Sequence, residues 1–183
     1  LSDTLLLLSN LGAALYRAGR IDEAETCYAK LAGLLTHSHI DTHKRDEFTA
    51  ILHNGLAQIY RKRGQFDSAW ERLNLAFKAA HAAQIPLQLF YAHNTRLHLA
   101  LDNITTTHQP KIYWLQLTAY LEDLEQRETL IFLAQIMLEE AESHKQQGHM
   151  EWARQYAEHA LEIYTRFDDA GGMARAEGFL ASM

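Results

Sequence analysis

Leu11-Gly12-Ala13-Ala14-Leu15-Tyr16-Arg17-Ala18-Gly19-Arg20-Ile21-Asp22-Glu23-Ala24 is the stretch on which the fold turns. Its first half spaces apolar residues for one face of a helix, and its second half begins another helix after Gly19. Glycine there supplies the left-handed backbone that ends a helix without a Cβ clash. Asp22 falls where a carboxylate favours the first turn of the next helix. Ala24, five residues beyond the glycine, is small enough to let two paired helices approach closely. The stretch reads as a helix hairpin.

The pattern recurs. Leu56-Ala57-Gln58-Ile59-Tyr60-Arg61-Lys62-Arg63-Gly64 leads through Asp67 to Ala69, and Ala141-Glu142-Ser143-His144-Lys145-Gln146-Gln147-Gly148 leads to Ala153. The glycines lie 45 and then 84 residues apart, and 84 is twice 42. A cryptic unit is therefore expected between them, with its turn near residue 106 in the polar stretch 103–107. Pro86 and Pro110 stand at first-turn positions of its two helices. Leu and Phe occur around most of the circumference of 86–101, so the register of that segment stays open.

This Leu-Gly…Tyr…Gly…Ala…Tyr spacing resembles the tetratricopeptide repeat, with a period of about 42 rather than 34 residues. Longer units of this kind are similar to those of bacterial signalling and transcription regulators. The chain departs from the pattern in two ways. Leu8, His53 and Met137 stand where an aromatic is usual, and Ala57 and Ala141 replace the mid-helix glycine. The resemblance implies an all-α, right-handed α-α superhelix of about four antiparallel helix pairs in a single domain, 1–183. The repeats are expected at 3–36, 43–83, 86–126 and 128–167. A terminal helix at 171–183 reads as a cap or a cut repeat, since a terminal unit otherwise exposes an apolar face.

Composition agrees. The 183 residues are 48% apolar and 22% charged, with nine Gly and two Pro, which suits helices better than turn-rich β folds. A single cysteine, Cys27, excludes an internal disulfide and fits a cytoplasmic setting. No apolar run approaches membrane-spanning length. The chain opens on Leu rather than Met, as expected of a segment of a longer protein or one with a trimmed end.

The net charge of −6 is uneven: 12 Lys and Arg face 10 Asp and Glu in residues 1–120, against 5 and 13 in 121–183. An acidic C-terminal third argues against a duplex nucleic-acid surface there. The basic cluster Arg61-Lys62-Arg63 reads as a solvated helix end whose cations complement the helix dipole.

In the resembled family the first helix of each pair lines a concave groove that holds a protein or peptide. Carried over by position, the resemblance places Leu6, Ser9, Asn10, Ala13, Tyr16 and Arg17 on that groove. From the second unit it places Ile51, Asn54, Gly55, Gln58, Arg61 and Lys62. From the fourth come Gln135, Leu138, Glu139, Glu142, Lys145 and Gln146. Arg96 lies among the polar residues Asn94, Thr95 and His98 on the first helix of the cryptic unit. Asn and Gln offer a donor and an acceptor for peptide backbone, and Arg and Lys can engage a carboxylate.

The implied function is a protein- or peptide-binding scaffold, the sensory or docking part of a larger bacterial signalling or transcription-regulatory protein. A small-molecule sensor controlling oligomerisation and a self-association module are the alternatives. No cofactor and no metal are expected. His37, His39 and His43 with Asp41 have chelating spacing but lack the four fixed ligands of a structural zinc site. Gly-rich phosphate loops, His-Glu-x-x-His and nucleophile-elbow motifs are missing from the sequence, so no catalytic residue is expected.

Overall fold

The computed structural model describes residues 2–36, 39–103 and 109–183. All regular structure among them is helical: α1 (Ser2–Arg17), α2 (Ile21–Leu35), α3 (Thr42–Lys62), α4 (Phe66–Ala83), α5 (Pro86–Asp102), α6 (Pro110–Glu122), α7 (Arg127–Gln146), α8 (Met150–Arg166) and α9 (Ala170–Ala181). The expected turn near residue 106 and His37 lie outside the described residues. The chain forms two compact units, residues 1–117 and 118–183, with the division falling inside α6.

The hairpin turns explain the Gly-to-Ala spacing mechanically. Gly19, Gly64 and Gly148 have φ of +77°, +71° and +80°, the left-handed region where a side chain is strained. In each turn the next residue's N–H reaches back five residues to close the first helix. These bonds are Arg20 to the Leu15 carbonyl at 2.9 Å, Gln65 to Tyr60 at 2.9 Å, and His149 to His144 at 2.8 Å. The carbonyl of that same residue then starts the second helix, accepting from Ala24, Ala69 or Ala153 at 3.0 Å. One residue thus ends one helix and begins the next, and the alanine sits one turn in. All three alanines are fully buried.

Other ends have their own chemistry. Asp41 caps α3 by accepting from the Lys44 N–H at 3.0 Å. Pro86 occupies the first turn of α5. Before α9, Asp168 takes φ +53° in place of glycine, and Asp169 caps the helix by accepting from the Gly172 N–H at 3.1 Å. This second cap starts α9 at Ala170, ahead of the expected onset.

In the first unit α1 pairs with α2 and α3 with α4, while the first helices α1, α3 and α5 also touch in sequence. The core between the first two pairs gathers Leu5, Leu15, Tyr28, Leu31, Leu52 and Ile59. Tyr28 lies between α1 and α3: a Cβ at Gly12 or Gly55 would press on or enter its ring. Further along, Phe77, Phe90 and Leu97 are buried. The start of α6 meets the earlier helices through side chains, Tyr113 to Trp70 on α4 and Gln116 to Arg96 on α5.

In the second unit α7 pairs with α8, and α9 lies on both. Tyr156 and Tyr164 are fully buried, and a Cβ at Gly172 would collide with the Tyr164 ring. His144 is also fully buried, its ring 5.2 Å from that of Tyr156. The Lys145 ammonium ties α7 to α9, donating to the Ser182 hydroxyl at 2.9 Å and lying 5.2 Å from the Phe179 ring centroid.

Candidate functional site

The face formed by α1, α3 and α5 is where the sequence places a groove in the first unit. On α1, Asn10 and Arg17 are exposed and Tyr16 is half-buried. Ser9 turns inward instead: it is buried, and its hydroxyl donates to the Leu6 carbonyl at 2.9 Å. Gly55 does not line the groove either. It is buried against Tyr28, because α3 must approach α2 closely there.

On α3, Asn54, Gln58 and Arg61 recur at intervals of four and three residues, so they share one stripe. The Gln58 amide donates to the Thr95 hydroxyl at 3.3 Å. Arg61 Nε lies 3.1 Å from the Asp102 carboxylate, with only 11% of the Arg61 side chain exposed. That nitrogen lacks hydrogen-bond alignment with any acceptor among the described residues, so the pair is a charge contact. Both interactions join α3 to α5 and draw on groups that a partner would otherwise engage. Asn54 differs: it is 8% exposed, and its side-chain oxygen has no hydrogen-bond partner among the described residues.

The basic cluster at the end of α3 is partly neutralised within the chain. Arg63 bonds Asp22 at 2.7 Å and Glu25 at 2.8 Å, joining the turn after α3 to α2. The hydrogen bonds to Glu25 and then Asp22 raise its already high pKa. Lys62 is exposed.

Arg96 lies apart from that stripe. Its guanidinium carbon is 3.8 Å from the Phe77 ring centroid on α4 and 5.5 Å from that of Tyr113 on α6, and it donates to the Gln116 side chain at 2.7 Å. His93 meets the same Phe77 edge-on, centroids 4.9 Å apart. Burial first, then the charge of Arg96 and the neighbouring His81, hold the His93 imidazole down to about 4. Burial lowers the Arg96 pKa as well.

Gln135, Glu139 and Glu142 stand exposed on α7 in the second unit, where Glu142 accepts from Gln146 at 3.2 Å. Cys27 is buried among the core side chains, as suits a packing residue. Trp70, Trp114 and Trp152 all lie on second helices.

Helix hairpins closed by left-handed glycines, with a buried alanine one turn into each second helix, define a helical-repeat scaffold. Residues 3–82, which span α1 to α4, match the family model described as Tetratricopeptide repeat. No curated protein and no solved structure gave a match. The family is one of protein-interaction scaffolds. No helix among the described residues is long and apolar enough to cross a membrane.

Proposed function

We propose that the first unit binds a segment of a protein partner across the face of α1, α3 and α5. On this reading it is the docking or sensory part of a larger, cytoplasmic signalling or transcription-regulatory protein of the bacterial type, with no catalysis of its own. Asn54 carries the proposal. A buried amide oxygen without a donor costs about 1–3 kcal/mol. A rotation of the Asn54 side chain that turns this oxygen outward would let a partner's N–H recover that cost. Asn10, Tyr16, Arg17 and Lys62 supply exposed or half-exposed polar contacts around it. Gln135, Glu139 and Glu142 would serve the same purpose on the second unit.

The test selects a binding peptide from a random displayed library and titrates it by calorimetry. Asn10→Ala combined with Asn54→Ala should weaken binding about tenfold, the loss of roughly one buried hydrogen bond, without lowering the melting temperature. Unchanged affinity would overturn the groove reading.

Self-association is a second reading with its own observation. Leu7 and Leu11 on α1 are 64% and 45% exposed. Forty-five residues on, Leu52 is buried in the core and Leu56 packs against it. The exposed α1 face thus has the chemistry of the α3 face that the first helix pair covers. Light scattering over a range of concentrations decides: a monomer throughout sinks this alternative.

A further inference from the structure

An open cleft of about 440 Å³ lies between the second helices α4 and α6, bounded by Asp67, Trp70, Glu71 and Asn74 on α4, Arg96 on α5 and Tyr113 on α6. The four α4 residues fall at intervals of three, one and three, so they form one face of that helix. Trp70 and Tyr113 make the walls, with ring centroids 5.6 Å apart and planes inclined at 41°. Asp67 and Glu71, one turn apart beside Trp70, are exposed and have no ion-pair partner among the described residues. Several other carboxylates of this unit are paired: Asp22 and Glu25 with Arg63, Glu23 with Arg20, Asp102 with Arg61. Arg96 does not neutralise the cleft's acids, since its faces lie on Phe77 and Tyr113 and its N–H is directed to Gln116.

The geometry points to a second binding site here, for an arginine side chain presented by a protein partner. A guanidinium is flat and weakly hydrated, so it stacks on an indole or phenol face while its edge donates to a carboxylate. The cleft provides both, with two acids against one occupied cation. An ammonium, compact and strongly hydrated, gains less from an inclined ring pair. The site is separate from the first-helix groove, since α4 and α6 contribute none of the residues assigned there. It stands whether or not the groove binds peptide.

The test follows the indole N–H resonance of Trp70, assigned by its loss in Trp70→Phe, during titration of the full chain. The probes are N-acetylarginine amide, N-acetylcitrulline amide and N-acetyllysine amide. A saturable shift with the arginine compound, absent with its neutral citrulline isostere and at least several-fold weaker with lysine, is expected. Asp67→Asn with Glu71→Gln, both at exposed positions, should weaken the arginine compound at least tenfold while lowering the melting temperature by no more than a few degrees, the loss of a first-turn carboxylate from α4. No saturable shift, equal binding of citrulline or lysine, or full affinity in the double variant would overturn the proposal.

Discussion

Two glycine-to-alanine substitutions test the wedge that holds the first two helix pairs together. Gly33 lies on an exposed part of α2, and an added Cβ would meet nothing within 4 Å. Alanine there should stabilise by up to about 1 kcal/mol, the helix-propensity difference. Gly55 on α3 has the same propensity to gain, but its Cβ would fall under 3.0 Å from three atoms of the Tyr28 ring and hydroxyl. The ring has little room to swing aside, because it is 3% exposed and its other side lies against the backbone of α1 at Gly12, where even a methyl group would be 3.0 Å from it. Overpacking of this kind costs about 1–3 kcal/mol. The propensity gain is common to both variants, so their difference isolates the collision. Gly55→Ala should therefore be about 1–3 kcal/mol less stable than Gly33→Ala. Urea denaturation followed by far-UV circular dichroism measures both, and Gly55→Ala with Tyr28→Leu completes a double-mutant cycle that should show coupling. If Gly55→Ala gains as much as Gly33→Ala, Tyr28 is not wedged and the account of pair-to-pair packing fails.

Two more predictions follow from buried positions. Ala69→Leu places three carbons where the α3–α4 hairpin leaves no exposed surface, and should destabilise by roughly 1–3 kcal/mol in the same urea assay. His93, held to about 4 against an ordinary 6.5, is neutral in the fold while the unfolded chain takes up a proton, so its contribution is complete above about 6.5 and declines as pH falls towards 4. At about 1.4 kcal/mol per unit the loss approaches 3 kcal/mol, and His93→Gln should remove that part of the pH dependence in denaturation series run from pH 7 to pH 4.

How much of this was legible in the sequence follows from where each signal is stored. A glycine turn is local: Gly19, Gly64 and Gly148 with alanines five residues on report a hairpin because one residue closes and opens successive helices. Where Gln84 and Asp168 adopt the same left-handed conformation at φ +51° and +53°, a search for glycine finds nothing. Site residues are stored non-locally. Periodicity says that Gln58 and Arg61 share a face, but not that Thr95 and Asp102 meet them, because that depends on the register of α5. The apolar residues of α5 surround most of its circumference, so its register is set by packing alone. The same blind spot hides Arg96 between Phe77 and Tyr113, and the cleft with it, since its walls come from three helices. Fixing the register changes which groups are available to a partner. Gln58 and Arg61 are engaged within the chain, Arg96 belongs to another surface, and the Asn54 oxygen still lacks a donor. The groove hypothesis therefore narrows from a list of exposed polar residues to one buried amide and the exposed residues around it.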